Sequence, residues 1–196
     1  MTQTLVIDLE TTGLPWQLPE NLRHVLEFGA VLLHTDGSVI LEESFLVNPG
    51  YDVLYTPVVQ PALAINHLDA ATIIRHGITP EEAKQRVISL FTEAHTWGIA
   101  QFATSYNRAF DFGEFLDKIW HVQTLVPAIQ PAPCIMLNAA IIMRKYRMLG
   151  NVSRVSLVKA VAFCQHNGHN IRVGPPHRAL SDAHMAADVM LALTKM

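Results

Sequence analysis

Two carboxylates stand two residues apart in the apolar run LVIDLETTGL, which spans 5–14: Asp8 and Glu10. On a strand, that spacing puts both on one face, with Leu9 facing the other way. A carboxylate among apolar residues is costly unless it is paired or bound to a cation. Two side by side repel, so one tends to hold a proton. A divalent ion resolves both problems, because Mg²⁺ and Mn²⁺ favour hard carboxylate oxygens. The D-x-E spacing is common, and by itself a strand end reaching solvent explains it more simply. Three more residues suited to such chemistry lie downstream. Asp111 falls in SYNRAFDF, just after a strand-like run and in the first turn of a helix. In PPHRALSDAHMAAD, His177 lies in a loop and Asp182 in the first turns of the last helix. Taken singly, each acid is also what a helix dipole favours at its start, and His177 is an ordinary loop histidine.

The elements that must position these residues can be traced in the pattern. A strand is expected over 4–10, and strand-like runs over 24–35 and 38–48 flank Asp36-Gly37, a strong hairpin signal. The stretch 49–77 is proline-interrupted and irregular, with a short helix expected near Ala62. A helix then begins at Thr79, which caps it, with Pro80 at its first position and Glu82 completing a capping box. Its apolar residues Ala83, Val87, Leu90, Phe91 and Ala94 keep helical spacing. Another strand is expected over 99–106, followed by a helix with Phe112, Phe115, Leu116, Ile119 and Trp120 on one stripe. Helices are expected over 136–149, over 154–166, and from about Arg178 onward. A meander followed by alternating helix and strand predicts an α/β fold, a mixed sheet flanked by helices.

The chain has 196 residues, half of them apolar, which suits one well-buried domain over 1–196. No apolar run is long enough to span a bilayer. The first strand begins at about residue 4, leaving no room for a targeting segment. Cys134 and Cys164 suggest no disulfide framework. A cytoplasmic protein is therefore expected, with no membrane contact. The formal net charge is -3, whereas proteins that wrap duplexes through phosphate contacts are usually basic. Any contact with nucleic acid is then short and local, or metal ions supply the positive charge.

DLETTGL, NRAFD and HRALSD, in that order, resemble the three motifs of the DEDDh exonucleases, D-x-E, N-x-x-F-D and H-x-A-x-x-D. That family includes polymerase proofreading subunits, RNase T and oligoribonuclease. The resemblance extends to EFGAVLL (27–33), similar to the family's second strand, and to INHLDAATI and GITPEEA before the first long helix. In PCIMLNAA (133–140) this chain lacks an Asp that many relatives carry before the helix, which bears on the substrate cleft rather than on a metal ligand.

The resemblance implies a ribonuclease H-like fold with a mixed five-stranded sheet. It also implies 3′→5′ hydrolysis of DNA or RNA from single-stranded 3′ ends, with two divalent cations, Mg²⁺ or Mn²⁺. Asp8 would bridge both ions, Glu10 and Asp182 would hold the one that activates water, and Asp111 the other. His177 would be the general base, a task suited to a side chain that ordinarily titrates near neutrality. Thr11, Thr12 and Leu14 would face the terminal nucleotide, with Asn107 and Phe110 supporting the site and Phe110 approaching the substrate. Some relatives work as homodimers, and proofreading subunits have a DNA polymerase as partner. Two other classes stay open: a proofreading-type subunit acting mainly through that partner, and a catalytically silent nucleic-acid-binding module. The intact set of five residues argues against the second. The chain stops about 14 residues past Asp182, without the tail such subunits often carry, which argues against the first.

Weaker features remain. Arg144, Lys145, Arg147, Arg154 and Lys159 form the best basic candidate for strand contact, with Tyr146 among them as a base-stacking candidate. They fit two solvated helix faces better. Cys164, His166 and His169 match no closed zinc site, and a helix end capped by Gly168 fits them better.

Overall fold

A computed structural model describes residues 3–148, 150 and 153–196. Five strands form one sheet in the order β3-β2-β1-β4-β5: β1 (Thr4–Thr11), β2 (Val25–Leu33), β3 (Val39–Leu46), β4 (Phe102–Ser105) and β5 (Gln130–Pro131). The first three make an antiparallel meander, and β4 and β5 run parallel to β1. The Asp36-Gly37 hairpin is present: Gly37 takes a φ of +91°, and Asp36 accepts from the Ser38 amide at 2.8 Å. β3 is the exposed edge. β5 is only two residues long, too short to leave a periodic signal in the sequence.

The stretch after β3 holds three short helices rather than one: α1 (Tyr51–Leu54), α2 (Gln60–Ile65) and α3 (Ala70–His76). Each is too short to show a period, and the prolines between them mask the rest. Leu54, Leu63 and Ile73 anchor them around Leu26. The capping box predicted for α4 (Pro80–Thr96) is formed, with Thr79 and Glu82 bonding reciprocally. After β4, the chain winds as a π-helix over Ala109–Asp117, looser than the α-helix its apolar stripe implies. Then follow α5 (Val122–Leu125), α6 (Ile135–Lys145), α7 (Leu157–His166) and α8 (Ala179–Leu193).

Alternation along β1 divides the interior. Leu5, Ile7 and Leu9, with Phe28, Ala30 and Leu32, face α4 and the π-helix. Val6 and Val31 face α6, α7 and α8. Along that second face, β1 continues from Val6 to Asp8 and Glu10, so the same period that buries Val6 aims both acids toward α8. α8 comes close to the sheet because its inner residues are small, Ala179, Ala183 and Ala186, all fully buried. β2 contributes Gly29 at the contact: a Cβ there would collide with the backbone of Ala179 and Leu180. Gly29 lies opposite Asp8 in the β1–β2 register, so this approach brings the first turn of α8 onto the acidic end of the sheet.

Candidate active site

Each motif reaches this end by its own route. Asp8 and Glu10 come from the end of β1, Asp111 from the first turn of the π-helix beyond β4, and Asp182 from the first turn of α8. Glu10, His177 and Asp182 offer ligand atoms that all lie within 4.8 Å of one another. Asp8 and Asp111 adjoin them: the charges of Asp111, Glu10 and Asp182 all act on the Asp8 carboxyl.

Burial first, then mutual repulsion, raises these carboxyls. Asp8 is pushed well above the usual carboxylate range by desolvation, then by Asp111 and Glu10. Desolvation and the Asp182 charge push Glu10 up to about 8. Asp111 is pushed up to about 7 by burial, offset by the neighbouring Ser105 hydroxyl and the backbone amides of Leu9 and Asp111. Ser105 Oγ itself is buried and makes no well-formed hydrogen bond among the described residues. Asp182 is raised by desolvation, offset by the His177 amide.

These residues fit a divalent cation. All the carboxylate donors are hard oxygens, they repel one another, and Asp182 Oδ1 is shut off from solvent without a hydrogen-bond partner. Arg178, a cation whose charge acts on Glu10, is committed to Glu27.

His177 is exposed, in a left-handed conformation with φ +57°, and its amide donates to Asp182 Oδ2 at 3.3 Å. The His67 ring, also on a left-handed residue, lies 6.4 Å from the His177 ring between centroids. His67 lies in the turn between α2 and α3, where Asn66 donates to the Thr11 carbonyl at 3.1 Å. The structure thus sets the arm beside the first motif.

Of the expected nucleotide contacts, Thr12 is fully buried, and its hydroxyl donates to Leu22 O at 2.6 Å and accepts from the His24 amide at 2.9 Å. That side chain braces the loop after β1. Thr11 is also buried, while Leu14 is 39% exposed beside Trp16, which is 70% exposed. The Asn107 carbonyl accepts from the amides of Phe110 and Asp111, at 2.8 and 3.1 Å, which sets up the π-helix start. Phe110 is half-buried against Phe115. Arg144, Lys145, Arg147, Arg154 and Lys159 are all exposed, while residues 149, 151 and 152 of that segment lie outside the described ones. Tyr146 is 46% exposed and meets Phe163 edge-on. α7 ends at a left-handed Gly168, with Cys164 buried. Among the described residues, no helix is long and apolar enough to cross a membrane.

Two residues at this end of the sheet have no role in the motifs: Glu27, and Arg178, which fills a variable position of HRALSD. Glu27 on β2 is 3% exposed and lies opposite Glu10 in the register. It accepts from Arg178, whose Nη2 reaches Oε1 at 2.7 Å, and from the Ala179 amide at 3.0 Å. The signal for it was one acid inside the apolar run VLEFGAVLL, which demands a partner when buried.

Among curated proteins, none matches this chain in sequence. Solved structures do. The nuclease domain of 3′hExo, a DEDDh family member bound to rAMP, is 17% identical, with a TM-score of 0.65 over 98% of this chain and 92% of that one. A 3′-exonuclease in 3′-end-specific recognition of a histone mRNA stem-loop is 17% identical, with a TM-score of 0.66 over 96% of this chain and 62% of that one. E. coli exonuclease I in complex with a dA16 oligonucleotide is 19% identical, with a TM-score of 0.66 over 100% of this chain and 41% of that one. This chain therefore spans less than two thirds of the length of the last two. These likenesses establish the ribonuclease H-like fold. The family model for RNase T exonucleases matches residues 5–190. Since that match takes in all three acidic motifs and nearly the whole sheet, the chain belongs to the RNase T exonuclease family.

Proposed function

We propose that this chain acts as one exonuclease domain that removes nucleotides stepwise from the 3′ end of single-stranded DNA or RNA. The observation that carries this is the convergence of Asp8, Glu10, Asp111 and Asp182, four mutually repelling carboxylates, with one buried oxygen of Asp182 left without a partner. Two divalent cations, Mg²⁺ or Mn²⁺, held by these four residues would lower the pKa of a water and stabilise charge developing on the leaving 3′ oxygen. The net negative chain then needs no basic surface to attract the phosphate. Asp8 would share both ions, Glu10 and Asp182 would hold one, and Asp111 the other. The His177 ring, exposed beside Glu10 and Asp182, takes the proton from the attacking water. Leu14 and the backbone after β1 meet the terminal nucleotide, with Thr11 and Thr12 held from behind and Phe110 beside it.

The test is a 5′-labelled single-stranded oligonucleotide, as DNA and as RNA, incubated with Mg²⁺ or Mn²⁺ and separately with EDTA. A ladder shortening one nucleotide at a time, with metal only, is the expected outcome. The faster substrate names the class. No degradation by folded, metal-loaded protein would refute the proposal.

A further inference from the structure

Glu27 is a fifth carboxylate at the acidic end of the sheet, yet it is already bound. Arg178 approaches it with two nitrogens: Nη2 donates to Oε1 at 2.7 Å, and Nε lies 3.2 Å from Oε1 and 3.1 Å from Oε2. The Ala179 amide, first of α8, donates to Oε2 at 3.0 Å. No side chain of the preceding segment caps α8, so the acceptor at its N-terminus comes from a strand 152 residues away. We infer that the Glu27–Arg178 pair is a positioning device that locks the segment 177–179 onto β2, so that His177 and Asp182 are held against Glu10.

Three observations converge on this. His177 holds a left-handed φ of +57°, which an ordinary side chain keeps only when its surroundings fix it. Pro175 and Pro176 restrain the chain before it, and the clamp fixes the residue after it. The His177 amide and the Ala179 amide then point to different carboxylates, Asp182 and Glu27, so a shift of this turn would loosen both. Finally, Glu27 lies opposite Glu10 in the strand register, so the clamp is referenced to the strand that carries Asp8 and Glu10. With its oxygens occupied, Glu27 is not a metal ligand.

The inference rests on the nuclease reading, and the experiment separates the two. Arg178→Lys keeps the charge but loses the forked contact. Its kinetics are measured on the labelled oligonucleotide, and Mn²⁺ binding to the EDTA-stripped protein is measured by calorimetry. The expected result is a kcat lowered about 10- to 100-fold with KM little changed, and weaker Mn²⁺ binding, as loss of an outer partner of metal ligands produces. A raised KM at unchanged kcat would assign Arg178 to the substrate phosphate and overturn the inference. Unchanged kcat and Mn²⁺ affinity would overturn it too. Glu27→Gln, which keeps the shape and an acceptor for Ala179, should show the same split. Because Mn²⁺ titration needs no hydrolysis, inactive wild-type protein would sink the nuclease reading while the clamp is still judged on metal affinity.

Discussion

Asp182 divides its two oxygens between two duties. Oδ2 takes the amide of His177, which fixes the turn carrying the exposed ring. Oδ1 is buried and has no hydrogen-bond partner among the described residues, which is what the proposed metal role needs. His177 is tied to the site through its backbone, so its ring can be removed without disturbing that bond. His177→Ala should lower the hydrolysis rate by about 10²- to 10⁴-fold, the usual worth of a general base, while Mn²⁺ binding persists. Rate assays paired with calorimetry check this, and equal activity in the variant would remove His177 from the mechanism. The five motif residues were legible in the sequence because each sits in a short pattern of fixed spacing. Glu27 and Arg178 were not, because no local pattern links residues on a strand and a helix so far apart in the chain. Only the oddity of an acid in an apolar run pointed to Glu27.

At the scale of elements, the meander, α4 and α8 could be read from alternation, turn residues and caps. The π-helix could not, since Phe112, Phe115, Leu116 and Trp120 are buried with a spacing that suits ordinary helical winding as well. Nor could the arm of α1, α2 and α3, whose helices depend on packing around Leu26 rather than on their own period. How α8 meets β2 is also a matter of tertiary contact, and it depends on one glycine. Gly29→Ala puts a methyl against rigid backbone of Ala179 and Leu180, so α8 must shift. The expected cost is about 1–3 kcal/mol of stability, as for other overpacked cores. A larger relative loss of activity should accompany it, because the displaced turn carries Asp182. Urea unfolding and rate measurements check both parts, and a variant with unchanged midpoint and rate would show that the contact yields easily.

For the molecule as a whole, the acidic cluster makes stability depend on pH and metal together. Without metal, Glu10 titrates at about 8 against an ordinary 4.5, and Asp111 at about 7 against 3.8, while Asp8 and Asp182 are also raised. The folded state thus binds protons more tightly than the unfolded one. That contribution is full below the ordinary carboxylate range and shrinks as pH rises, the Asp111 share being lost through about 7 and the Glu10 share through about 8. The thermal midpoint of EDTA-treated protein should therefore fall between pH 5 and 8. Mn²⁺ at about 100 times its Kd should raise it at pH 8 by about 5–10 °C, from roughly 2.7 kcal/mol of linkage at this chain size. At pH 5 the rise should be much smaller. Scanning fluorimetry across pH with and without Mn²⁺ decides, and a midpoint climbing from pH 5 to 8 in EDTA would contradict the assigned shifts.

The site draws on the first strand of the sheet and on the last helix, with the π-helix between them in sequence. No fragment much shorter than 8–182 contains it. Seating α8 on the sheet therefore completes the candidate site, because it brings Asp182 to Glu10 on β1. The same contact brings like charges together, so a divalent cation bound there would also hold α8 to the sheet, tying the endurance of the fold to the supply of metal.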